Sequence, residues 1–132
     1  MNITSAQSDR IIAAAKAKAI EIAIPMSIAI VDEGANLKAF YRMDDAMLGS
    51  TDIAIKKAKT SRLFNINSGE IGKQSQPGGD LYSIEHSNDG LITFVGGILL
   101  KNHQGETVGA IGVSGGSLKQ DEEVAAAGAA AL

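Results

Sequence analysis

Residues 108–123, Val-Gly-Ala-Ile-Gly-Val-Ser-Gly-Gly-Ser-Leu-Lys-Gln-Asp-Glu-Glu, constrain the fold of this chain more than any other stretch. An apolar run broken by glycines leads into a polar helix start, the pattern of a covered strand that turns into a helix. Ser117 stands three residues before Gln120, the spacing of a capping box in which each side chain satisfies the other residue's backbone N–H. Gly115 and Gly116 supply backbone angles that residues with a β-carbon resist. Free N–H groups at a helix start attract anions, yet Asp121, Glu122 and Glu123 crowd the same end and disfavour a highly charged phosphate. The glycines at 109, 112, 115 and 116 do not form G-x-G-x-x-G, and the chain ends at Leu132 before a second βαβ strand, so a dinucleotide fingerprint is excluded. On these residues alone the segment is either a structural strand-to-helix turn or a loop that touches a ligand.

The rest of the chain supplies the partners of that unit. Thr4 and Gln7 form a second capping box, and Ile11, Ile12, Ala15, Ala19 and Ile22 recur at helical spacing until Pro25, which predicts a helix over residues 5–23. Residues 26–31 are continuously apolar and residues 37–42 follow across a polar turn, so the two read as a hairpin. Helices are expected over 50–64 and from Ser68, with Asn67 as cap, followed by a turn-rich loop at 74–80. Three strands are expected over 91–95, 98–102 and 106–113, and a closing helix over 118–132. The order predicts an α+β fold in which helices pack on a five-stranded antiparallel sheet. With 132 residues and 45% hydrophobic content, one domain spanning 1–132 is expected.

Composition narrows the partners. A net charge of −3 and 4% aromatic residues give neither the basic surface nor the stacking platforms that nucleic acid needs. No cysteine is present, which removes disulfides, thiolate metal sites and cysteine nucleophiles. No apolar run approaches the roughly 20 residues that cross a bilayer, so no membrane partner and a cytoplasmic location are expected. Two histidines, His86 and His103, cannot build a three-histidine metal site within one subunit. Ser114 and Ser117 lie in no G-x-S-x-G pattern, so no acyl-transfer triad is read and no catalytic residue is assigned.

Several motifs taken in order, Met26-Ser-Ile-Ala-Ile-Val-Asp32, Phe40-Tyr-Arg-Met-Asp44, Leu48-Gly-Ser50, Lys57-Ala58, Pro77-Gly78-Gly79, Phe94-Val-Gly-Gly-Ile98 and Gly109 to Ser117, resemble the GlcG/HbpS family, also called the haem-degrading domain family and related to the C-terminal domain of PduO-type proteins. The resemblance covers nearly the whole chain. It implies a profilin-like fold, a homo-oligomer of dimers or larger rings, and a binding protein for haem, a related tetrapyrrole or a small carboxylate. The alternatives are an enzyme or enzyme accessory in glycolate, diol or glycerol metabolism, and a structural assembly module. The expected ligand-binding set is Tyr41, Arg42, Asp44, Lys57, Gly78, Gly79, His86, Gly115 and Gly116. Arg42 and Lys57 supply cations for a carboxylate or propionate, the glycines permit close approach, and His86 is the candidate haem iron ligand, with Tyr41 as the other.

Overall fold

The computed structural model describes residues 1–132. Helix α1 (Ser5–Glu21) is followed by strands β1 (Ser27–Asp32) and β2 (Leu37–Arg42), helices α2 (Ser50–Phe64) and α3 (Ser68–Gln74), a 3₁₀ turn at Ile84–His86, strands β3 (Gly97–Lys101) and β4 (Thr107–Ser114), and helix α4 (Leu118–Ala129). Both predicted capping boxes form: Thr4 with Gln7 starts α1, and Ser117 with Gln120 starts α4. Asn67 precedes α3 but makes no cap bond, because its Oδ1 accepts the N–H of Leu99 on the edge strand β3.

The sheet is antiparallel in the order β2-β1-β4-β3. It has four strands, not the expected five. Residues 91–95 carry a strand-like apolar pattern, but their backbone is bonded elsewhere: Leu91 N–H donates to the Glu85 carbonyl and Ile92 N–H to Thr60 Oγ1. With those donors engaged the segment runs outside the ladder. Sheet pairing begins at Gly97, which faces Gly112.

Alternation along the strands sorts side chains to two faces. Ile28, Ile30, Ile111 and Val113 pack with Ile11 and Ala15 of α1 and Val124 of α4 in the main core. On the other face Val31 and Ala110 meet Ala58 of α2. This second interface is built from small residues. A β-carbon on Gly112 would collide with the Ala54 carbonyl and the Ala58 N–H, and one on Gly97 would collide with the Lys57 carbonyl. The two glycines sit opposite each other in register, so α2 approaches the sheet nearly backbone to backbone.

Gly115, at the end of β4, has φ +149, and a β-carbon there would lie 2.5 Å from the Pro25 carbonyl oxygen. Gly115→Val therefore combines a clash with a disfavoured dihedral and should lower stability by more than about 1 kcal/mol, read as a reduced urea midpoint at unchanged slope. An unchanged midpoint would show that the turn tolerates a β-carbon.

Candidate functional site

The expected ligand-binding residues are distributed over the molecule. Tyr41 and Arg42 end β2, the edge strand, and both are exposed. The Tyr41 ring lies beneath the Lys16 ammonium, 4.4 Å from ring centroid to nitrogen. Arg42 forms no ion pair with Asp44 or Asp45. Gly78 and Gly79 turn the chain just after α3, where Gly79 N–H donates to the Gln76 carbonyl. His86 is exposed at the end of the 3₁₀ turn. Its neighbour Glu85 accepts a 2.7 Å hydrogen bond from Thr93 Oγ1, which holds the Glu85 carboxyl below the usual glutamate range. No hydrogen bond or ion pair links the Arg42 edge to the 77–86 loop.

Lys57 occupies a different place from the one its charge implies. Its side chain is fully buried, and its ammonium donates to the Val113 carbonyl at 2.8 Å and to Asp121 Oδ2 at 2.9 Å. Burial lowers the Lys57 pKa, opposed by the hydrogen bond and charge of Asp121 and by the charge of Glu122. The other Asp121 oxygen accepts Gly116 N–H at 2.9 Å. Glu122 accepts Gly96 N–H at 2.8 Å. The three consecutive acids of α4 thus separate, two binding the backbone and the third, Glu123, lying 3.7 Å from Lys18. With Gly116 N–H satisfied internally, the Gly115–Gly116 segment is a structural turn that holds α4 against β4 and α2.

The same bonds build a concave surface. Gly96 is tied to α4 through Glu122, so the segment just before it, Phe94–Val95, stands beside the first turns of α4 and leaves a groove between them. Val95, Leu118 and Ala126, with the charged Lys119, Glu122 and Glu123, line a cavity of about 700 Å³. A second cavity of about 340 Å³ shares Val95 and Leu118 and extends past Phe94 to Lys73 on α3. Phe94 and Leu118 are 50% and 47% exposed, large apolar areas left in water. These residues were not in the expected set. Their signal was Leu118, Glu122 and Ala126 at four-residue spacing, one stripe along α4, but the facing Phe94 comes from a segment whose place only the fold reveals.

The haem degrading protein HbpS-like family model matches residues 3–130. An uncharacterised 15.0 kDa protein from the dhaT-dhaS intergenic region of Citrobacter freundii is 39% identical over 93% of this chain and 87% of its own length. The corrinoid adenosyltransferase PduO of Citrobacter freundii is 35% identical over 100% of this chain, which spans 39% of that protein. A crystal structure of a PduOC–haem complex aligns with TM-score 0.94 and 32% identity, covering 100% of this chain and 96% of that one.

Breaking the buried pair should be costly. Lys57→Met leaves Asp121 buried without its cation and should destabilise the protein by about 3–5 kcal/mol in chemical denaturation, whereas Lys57→Met with Asp121→Leu recovers most of the loss. The pH dependence follows from the lowered pKa of Lys57. Between its folded pKa and the ordinary value of 10.5 the unfolded chain binds more protons, so this group makes stability rise with pH in that window. Lys57→Met should abolish that alkaline rise.

Proposed function

The chain belongs to the haem degrading protein HbpS-like family, and on that premise we propose that it is a small binding protein whose ligand is haem or a related tetrapyrrole. The observation that carries this reading is the likeness, along the whole chain, to a protein solved with haem bound. The groove supports it. Its larger cavity falls in the range of roughly 300–1,000 Å³ typical of small-molecule sites and offers the apolar side chains of Val95, Leu118 and Ala126 beside Lys119, Glu122 and Glu123, with Phe94 in the adjoining cavity. Lys119 offers a cation for a propionate, while Lys73, in the second cavity, is already paired with Glu70. The lining holds no histidine, tyrosine or methionine, so an axial donor would come from outside it; His86, next to the Glu85 that bonds Thr93, is the nearer candidate, whereas Tyr41 lies on the opposite edge of the sheet. Bound haem would supply the iron chemistry, and the chain would hold and orient it. The exposed Phe94, Leu118, Met47 and Leu48 are consistent with a homo-oligomer. A second reading, an accessory domain to an enzyme, rests on the adenosyltransferase relative, of which this chain resembles only a part.

Haem titration followed at the Soret band tests the first reading. Saturable binding is expected, and Leu118→Glu, which puts a carboxylate against the macrocycle, should weaken it at least about tenfold. His86→Ala should alter the spectrum without unfolding the protein if His86 ligates iron. If instead Arg42→Ala costs about 1.5–3 kcal/mol of affinity and Leu118→Glu costs nothing, the ligand sits at the β2 edge. No spectral change on titration rejects haem.

A further inference from the structure

A separate polar cavity of about 370 Å³ lies over α2, between that helix, the β1–β2 turn and the 88–90 loop. It shares no lining residue with the apolar groove. Three features mark it. Ala35, Asn88 and Asp89, three of the chain's seven non-glycine residues with positive φ, all line it, at φ 63, 53 and 59. Left-handed backbone at alanine and aspartate is held against a local cost, and such positions gather at binding sites. The charges are also unevenly paired within the chain, Lys59 and Asp89 both being exposed. Lys56 is paired at 3.2 Å with Asp52 one turn earlier on α2, but Lys59, on the helix wall, and Asp89, on the loop wall, have no ion-pair partner. Finally, Ile55 and Leu63 place apolar surface beside these charges.

We infer that this cavity binds a small zwitterion, a free α-amino acid, whose carboxylate pairs with Lys59 and whose ammonium pairs with Asp89, its side chain resting on Ile55 and Leu63. An anion alone would meet one free cation and one free carboxylate across the same small space, and a cation alone would meet the reverse. A ligand bearing both signs satisfies both walls, and charge-assisted hydrogen bonds are the strong ones. The left-handed loop then serves to bring Asp89 over α2.

Amide chemical-shift titration of the full chain tests this with L-leucine, L-serine, acetate and methylammonium as probes. The amino acids should give saturable shifts confined to residues 34–35, 55–59 and 88–90 at concentrations up to roughly 10 mM, with neither single-charge probe matching them. Lys59→Gln and Asp89→Asn, both conservative changes at exposed positions, should each weaken amino-acid binding about tenfold while leaving the melting temperature unchanged. Acetate binding as well as the amino acids, with Asp89→Asn without effect, would overturn the zwitterion. Absence of localised shifts with every probe, the result if Lys59 and Asp89 satisfy each other in solution, would overturn the site. Haem binding at the groove bears on neither outcome.

Discussion

A lysine ammonium placed where no water reaches it sets the terms for half of this molecule. Desolvating such a group costs several kcal/mol unless its hydrogens find good acceptors. Here the acceptors are the Val113 carbonyl and the Asp121 carboxylate, contributed by β4 and α4 to a cation carried on α2. Helices on opposite faces of the sheet are thereby tied together at one end of it. The sheet's small residues make the tie reachable: Gly97 and Gly112 let α2 come close, and Gly96, at φ +118, leaves room where a β-carbon would stand 2.8 Å from the Lys57 nitrogen.

The groove is a by-product of the same arrangement. Asp121 holds the start of α4 through Gly116 N–H, and Glu122 holds the 93–96 segment through Gly96 N–H. The two walls are thus fixed by carboxylates one residue apart. What remains between them is the apolar surface of Val95, Leu118 and Ala126, with Lys119 and Glu123 beside it. That leaves Phe94 and Leu118 facing outward with no partner in the chain.

How much of this was legible beforehand depended on the range of the interaction concerned. Both capping boxes were readable because their partners lie three residues apart, and the α+β order was readable from periodicity and glycine positions. The extra strand at 91–95 was a misreading of a pattern that is locally sound; what decides against it is Thr60, some thirty residues away, taking the donor a ladder would use. Asn67 has a cap's sequence spacing but serves β3 instead. For Lys57 the charge suggested a ligand, and the burial is non-local. A hint was present all the same: Ala54, Lys57, Ala58 and Ser61 form one helical stripe of small residues with a single lysine in it, and a lysine on a buried stripe needs an internal acid.

Helix α2 has almost no face to spare. One side meets the glycines of the sheet, Lys57 reaches past the strand ends to α4, and a third side carries Asp52, Ile55, Lys56 and Lys59 along the polar cavity. Each added or deleted residue turns everything beyond it by about 100°. A one-residue change of length within residues 50–57 would swing the ammonium into the sheet or into water and present a bulky side chain to Gly112. Length variation among chains of this kind should therefore collect in the turns at 43–49 and 75–93, while α2 keeps a constant residue count.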